Sequence, residues 1–329
     1  MRNHRTWIAV SLAAAALVAG GCGSSSGSDN GGSDKPPPVA KPEDFPKAGG
    51  KTINDLVRKY GSGGPVLAPS VSQLTIGRNR FGFGLFDRSR NQITDVPVAL
   101  YIARSGGPVK GPFVARWESL KVEPQFQSRT VASDPNAAKS VYVADVNFDK
   151  PGDYQILGLA RFDDRLVVAT PAEPVVRVSR KDAVPAVGEK APLIHTPTKA
   201  SVGGDIKKID TRSPPDDMHD VDFASVLGKK PIALVFATPL LCQSRVCGPV
   251  VDIAEQVKAK RANDAAFIHM EIYTDNQVEK GFRPQVLAYH LPTEPWLFTI
   301  DRHGIIRARL EGAYSVDEFN KALDAAVKR

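Results

Sequence analysis

The sequence predicts an all-β domain followed by an α/β domain, both carried behind an unfolded tether. Three observations predict this. Residues 23 to about 48 are mostly Gly, Ser, Asp, Lys and Pro and have almost nothing to bury. Between 68 and 180, short apolar runs recur with turn signals between them and no helical periodicity. Beyond about 185, strand-like runs alternate with helical ones. Of the 329 residues, about 265 remain once leader and tether are set aside, comfortable for two domains.

Residues 1–21 have the three parts of an export signal. Arg2 and Arg5 supply the basic region, Trp7 to Ala19 are apolar, and small residues Ala19-Gly20-Gly21 precede Cys22. The apolar stretch is shorter than the ~20 residues that a spanning helix needs. The ending Val18-Ala19-Gly20-Gly21-Cys22 resembles a bacterial lipobox, with Ala19 where leucine is commonest. That resemblance implies removal of residues 1–21 and acylation of Cys22, hence a lipid-anchored protein on the extracytoplasmic face of a cell membrane. Each buried methylene of such an anchor contributes roughly 0.8 kcal/mol. The net charge of +7 falls to +5 with loss of the two arginines. Acids and bases are interspersed with no basic stripe, which excludes nucleic acid as an expected partner.

The elements follow in chain order. Residues 22–67 form the tether, stiffened by Pro36-Pro37-Pro38, with a short helix over Thr52–Tyr60 capped by Thr52 and stopped by Gly61. Residues 68–180 hold seven strand-like runs: Val71–Ile76, Phe81–Phe86, Val96–Ala103, Val141–Phe148, Asp153–Arg161, Leu166–Ala169 and Val175–Val178. That number of short strands suggests an immunoglobulin-like sandwich. It has no cysteine or histidine and reads as a spacer. Ser179 to Pro192 is a linker. In residues 181–329, Pro231–Leu241 is a strand, Pro249–Arg261 a helix and Ala266–Tyr273 a strand. Pro284–Tyr289 is a helical turn, and Trp296–Asp301 with Ile305–Leu310 form a hairpin. Ser315–Lys328 closes as a helix, with Ser315 at the N-cap and Glu318 at the capping-box position.

The chain has three cysteines. If Cys22 carries lipid outside the cytoplasm, Cys242 and Cys247 face an oxidising compartment and can pair only with each other. On a continuous helix their Cα atoms would be roughly 8–9 Å apart, beyond the ~7 Å a disulfide tolerates. Residues 242–247 are therefore looped if the pair is oxidised, with the helix beginning near Gly248 and Pro249 in its first turn. Arg245 and the helix N-terminus both favour thiolate.

Val187-Gly188-Glu189-Lys190-Ala191-Pro192 resembles the opening of peroxiredoxins and of membrane-tethered thioredoxin-like proteins. Leu234-Val235-Phe236-Ala237-Thr238 is similar to their strand before the active cysteine. Thr293-Glu294-Pro295-Trp296, then Asp301-Arg302-His303-Gly304, resembles their cis-proline loop and final hairpin. The resemblance covers about 185–329 and implies a thioredoxin-like fold for that domain, with Pro295 cis and Glu294 and Trp296 shaping a docking groove. The Cys-x4-Cys spacing is atypical, and Val235 stands where thioredoxins bury an aspartate. One register makes Cys242 the attacking thiol. The other lays Cys247-Gly248-Pro249-Val250 over the family's Cys-Gly-Pro-Cys. Both remain open at this point.

The resemblance implies a candidate thiol–disulfide oxidoreductase, acting as a monomer on exported thiol and disulfide proteins through Cys242, Cys247 and Pro295, with no cofactor. Three alternatives share the fold. Two-cysteine peroxiredoxins place a threonine three residues before the reactive cysteine and an arginine downstream; here Pro239 and Pro295 stand there. Sco-type copper chaperones would use Cys242, Cys247 and a histidine, and His290 lies three residues before the matching place. Two thiolates and an imidazole suit Cu(I). His195, His219, His269 and His303 show no ligand spacing. The third alternative is a non-catalytic binding module with a structural disulfide.

Overall fold

The computed structural model describes residues 36–329 apart from Ser62, Ala172 and Gln243; the leader and Cys22 lie outside them. The expected helix is α1 (Ile53–Tyr60). Its cap is reciprocal: the Thr52 hydroxyl accepts from Asp55 N–H at 3.2 Å, and the Asp55 carboxylate accepts from Thr52 N–H at 2.8 Å. The segment expected as tether is nonetheless packed chain from Phe45 onward. Phe45, Ala48, Ile53 and Leu56 bury their side chains against the strand-rich half. Four apolar side chains at these spacings give the segment a face to bury, which the polar stretch before it lacks.

Eleven strands follow: β1 (Val66–Pro69), β2 (Leu74–Thr75), β3 (Gly77–Phe86), β4 (Gln92–Ile93), β5 (Val98–Arg104), β6 (Lys110–Val114), β7 (Arg116–Ser119), β8 (Ser140–Phe148), β9 (Gly152–Phe162), β10 (Arg165–Pro171) and β11 (Val175–Ser179). Eight of them form one hydrogen-bonded path, β2-β11-β9-β10-β1-β3-β8-β7, with β4 added on β3, β5 on β9 and β6 on β5. The path folds over a core that takes Phe81, Phe83 and Leu85 from β3, Val98, Leu100 and Ile102 from β5, and Tyr142, Ala144 and Val146 from β8.

The continuous apolar run of β5 has a physical reason. Val98, Leu100 and Ile102 face that core, whereas Ala99, Tyr101 and Ala103 face outward under α1 and Phe45. A strand covered on both faces loses the alternation of a half-exposed one. The same holds for the start of β8, where Val141 and Val143 point away from the core of the strand-rich half into that of the C-terminal half. Each such burial contributes about 1.5–3 kcal/mol.

The C-terminal half contains β12 (Ile232–Phe236), β13 (Ala266–Met270), β14 (Trp296–Ile300) and β15 (Ile306–Glu311) in the order β13-β12-β14-β15. β12 and β13 are parallel; β14 is antiparallel to β12, and β15 to β14. Between β7 and β8 lies the short α2 (Arg129–Ser133), and before β12 the single turn α3 (Phe223–Val226). α4 (Cys247–Arg261) crosses from β12 to β13, α5 (Pro284–Ala288) precedes β14, and α6 (Val316–Val327) closes the chain. This βαβ–ββα arrangement is the thioredoxin-like fold that the sequence predicts. Side chains alternate along β12: Ala233 and Val235 face α4 and α6, while Ile232, Leu234 and Phe236 face α3 and α5.

The expected linker is stitched to β15 rather than standing free. Arg309 donates to the Asp182 carboxylate (3.0 Å) and the Val184 carbonyl (2.8 Å), and Gly188 N–H donates to Ile306 O at 2.8 Å. Ser315 caps α6 as predicted, accepting from Glu318 N–H. The Glu318 side chain, however, leaves the capping-box position and turns to Arg80 of β3 and Arg116 of β7. Two guanidinium groups offer charge-assisted bonds that one backbone N–H does not match. Gly312, just past β15, has φ +75°, and a Cβ there would lie 2.0 Å from the Ser70 carbonyl oxygen. Only glycine lets the two halves approach so closely at that turn.

Candidate functional site

β12 and the residues after it are buried through Pro239, and the chain then surfaces at Leu240, which is exposed. Cys242 follows in a loop, and Arg245 turns the chain with φ +59°. Cys242 and Cys247 are joined in a disulfide with Cα atoms 6.0 Å apart. The looped geometry required by the spacing is thus present, though α4 begins at Cys247 itself rather than at Gly248. Arg245 is exposed and contributes its carbonyl, which accepts from Ala138 N–H at 3.2 Å.

The two sulfurs differ in access. Cys242 is half-buried, whereas Cys247 is fully buried at the first turn of α4. The segment between β7 and β8 packs on the first turns of α4 beside it. Val131 of α2 packs so closely on Gly248 that a Cβ there would lie 2.7 Å from its Cγ2. Ser128 N–H donates to the Asp252 carboxylate of α4 at 2.9 Å, and Glu123 N–H to Gln256 Oε1 at 2.6 Å. The strand-rich half therefore builds one wall of the thiol site.

The other wall is the loop before β14. The Glu294–Pro295 peptide is cis, the isomer that the resemblance implies. Glu294 Oε2 accepts from Thr238 N–H at 2.6 Å. A carboxylate oxygen of Glu294 and the two cysteine sulfurs all lie within 4.8 Å of one another. Burial pushes the Glu294 carboxyl up to about 7, against the lowering effect of its bond from Thr238. An ionisable group poised near neutrality and beside both sulfurs is a proton acceptor for a thiol. The sequence offered no acid at Val235, and none is there: Val235 points into the core under α4. The carboxylate comes instead from the cis-proline loop.

A cleft of about 220 Å³ opens beside Cys242, lined by Ser244, Ile272, Tyr273, Phe282, Thr293 and Glu294 among others. Glu294 shapes it as expected. Trp296 does not: it is buried in the core of β14, against Phe298. As the first residue of a central strand with both faces covered, it points inward by the pleat. His290 is exposed at the end of α5 with φ +53° and is not among the groups that converge on the sulfurs.

No family model and no curated protein matches the sequence. Among solved structures, the chain is similar to a putative thiol:disulfide interchange protein DsbE from Chlorobium tepidum, with 17% identity and a TM-score of 0.32, covering 44% of this chain and 99% of that one. It is also similar to a thiol:disulfide interchange protein of the thioredoxin family from Chlorobium tepidum TLS, with 17% identity and a TM-score of 0.30, covering 43% and 98%.

Proposed function

We propose that this protein exchanges disulfides with exported proteins, held at the outer face of a membrane by a lipid on Cys22. The observation that carries the reading is the unequal pair: a reachable Cys242 disulfide-bonded to a buried Cys247 at the N-terminus of α4. A partner thiolate attacks Cys242 Sγ, the Cys242–Cys247 bond breaks, and Cys247 leaves as a thiolate stabilised by the helix N-terminus. The partner's second thiolate then attacks the partner sulfur of the mixed disulfide and releases Cys242. Two electrons pass from the partner dithiol to the Cys242/Cys247 pair, and the reverse sequence reduces a partner disulfide. Glu294 accepts the Cys247 proton when that thiol resolves a mixed disulfide, and returns it when the thiolate is released. The strand-rich half, read as an immunoglobulin-like sandwich, braces Cys247 and leaves the cleft beside Cys242 for the partner.

The direct test is the reduction potential of the pair. A value between roughly −120 and −300 mV, the span of exchange proteins, is the expected result. A value far below roughly −300 mV would make the disulfide a structural staple and sink the proposal.

Glu294 gives a second expected outcome. Resolution by Cys247 should accelerate as pH rises through about 7, where Glu294 becomes the carboxylate. Glu294→Gln should flatten that rise and slow resolution at pH 8 by roughly 10²-fold, the low end for a positioned general base. Stability should move the other way. The Glu294 carboxyl titrates higher when folded than its ordinary 4.5, so its contribution is full below that value and lost as pH rises through about 7. Glu294→Gln, neutral throughout, should therefore gain stability over wild type at pH 8 relative to pH 5. An unchanged pH–rate profile, measured by stopped-flow with a model disulfide, would assign the proton to another group.

A further inference from the structure

Beneath the thiol loop, four side chains that the exchange chemistry does not use converge in the interior. Asp210, Asp216 and His219 come from the long connection before α3, and His269 from β13; all four are buried. One donor atom from each, two nitrogens and two oxygens, lies within 4.8 Å of the other three.

Three of these side chains find partners in the protein, and the fourth, His219, does not. His269 Nε2 lies 2.9 Å from the Ala237 carbonyl oxygen, which can only accept, so Nε2 carries the proton. As an imidazolium, His269 also donates from Nδ1 to Asp216 Oδ2 at 2.6 Å; a metal would take the place of that Nδ1 proton. His219 is the group left without a partner. Its ring is 2% exposed, and neither nitrogen has a hydrogen-bond partner. Nε2 instead faces Asp216 Oδ1 at 3.4 Å and Asp210 Oδ2 at 3.7 Å. Leaving a buried polar group unpaired is costly, and a ligand that both carboxylates also bind removes that cost at Nε2.

The surroundings are those of an oriented ligand set. Asp210 accepts from the backbone N–H groups of Arg212 (2.7 Å) and Asp216 (2.6 Å), and Asp216 from that of Met218 (2.8 Å). These bonds fix the carboxylates, as the bond to Ala237 fixes the His269 tautomer. We propose that Asp210, Asp216, His219 and His269 hold one divalent transition-metal ion of the zinc class. Two imidazoles and two carboxylates suit Zn²⁺ or Co²⁺ and not Cu(I), which takes thiolates. Four protein donors close the site, so its role is structural. It ties the 205–222 connection to β13 and supports Ala237, the residue before Thr238, whose N–H holds Glu294.

The test uses full-length protein with its disulfide oxidised, so that Cys242 and Cys247 have no thiolate to offer. After purification free of metal, titration with Co²⁺ should saturate at one equivalent. It should give the visible d–d bands of a four-coordinate nitrogen–oxygen site, with no sulfur-to-metal charge-transfer band. The thermal midpoint should rise with Zn²⁺ concentration. His219→Ala should lose at least about 100-fold in Zn²⁺ affinity, since even outer partners of such ligands are worth 10–100-fold. His290→Ala and the Cys242→Ser/Cys247→Ser pair should bind as wild type. If oxidised wild-type protein takes up neither ion stoichiometrically, the proposal fails, and the four side chains form an ion pair with no metal. Binding seen only after reduction, or lost with the cysteines, overturns it equally by placing the ion on the thiols. The spectrum of the wild-type protein decides the matter even if His219→Ala does not fold.

Discussion

Cys242→Ser should abolish disulfide exchange, whereas Cys247→Ser should leave a protein that captures partners and cannot release them. The asymmetry follows from burial. Attack on a sulfur needs a clear line along the S–S axis, and the cleft reaches Cys242 while Cys247 is fully buried at the start of α4, next to the Gly248 on which Val131 packs. With Cys242 removed, the remaining thiol is fully buried, and exchange should fall by roughly 10³-fold or more, as for loss of a nucleophile. With Cys247 removed, the Cys242 thiolate still forms the mixed disulfide, but no second thiol lies near enough to break it. Non-reducing gels of Cys247→Ser with an exported-protein extract should show adducts that disappear on reduction, and none with Cys242→Ser. The opposite pattern would make Cys247 the attacking thiol. Adducts from neither variant would remove the pair from the chemistry.

What the sequence carries here depends on how local each cause is. The caps at Thr52 and Ser315 are set within four residues, and both are found where the residues place them. β12, α4, β13 and the final hairpin are marked by their own periodicity. β1, β6 and β7 are not marked in the sequence, because four or five residues with Pro69, Pro112 or charged neighbours carry no period. The continuous apolar run of β5 was legible as a strand, but not its meaning, since the cover on its outer face comes from Phe45 and α1 far back in the chain. The site divides in the same way. The cysteine pair and Pro295 stand out in the sequence, as does Glu294 as a groove residue. Its placement beside both sulfurs depends on how the cis-proline loop folds back to Thr238. His219 and His269 are fifty residues apart and show no ligand spacing; only the long connection before α3 brings them to a ring-centroid distance of 5.1 Å.

Arg80→Met should cost about 3–5 kcal/mol, the scale for breaking one partner out of a buried ion pair. Arg80 holds the two halves of the protein together with one guanidinium. Its Nε and Nη2 donate to the two Glu318 carboxylate oxygens at 2.9 and 2.7 Å, and Nη1 and Nη2 also donate to the carbonyls of Glu311 (3.2 Å) and Ala313 (2.6 Å). Glu318 is 7% exposed and keeps only Arg116, a more exposed partner, when Arg80 is gone. Burial alone would raise the Glu318 carboxyl. The bonds and charges of Arg80 and Arg116 outweigh it and hold the group below its ordinary value of 4.5. A carboxyl depressed in the folded state adds stability above its unfolded pKa, and that stability is lost as pH falls through the folded one. Wild type should therefore lose stability on acidification below about pH 4.5 through this group, and Arg80→Met should lose less there, having forfeited most of the contribution already. Equilibrium urea unfolding at pH 7 and pH 4, followed separately by near-UV signals and by disulfide-exchange activity, reads both effects. Because Val141 and Val143 of the strand-rich half sit in the core of the thioredoxin-like half, wild type should unfold in one transition. The variant should approach two. A change in unfolding free energy under about 0.5 kcal/mol, the range of ordinary surface substitutions, would show that this apolar seam alone joins the halves.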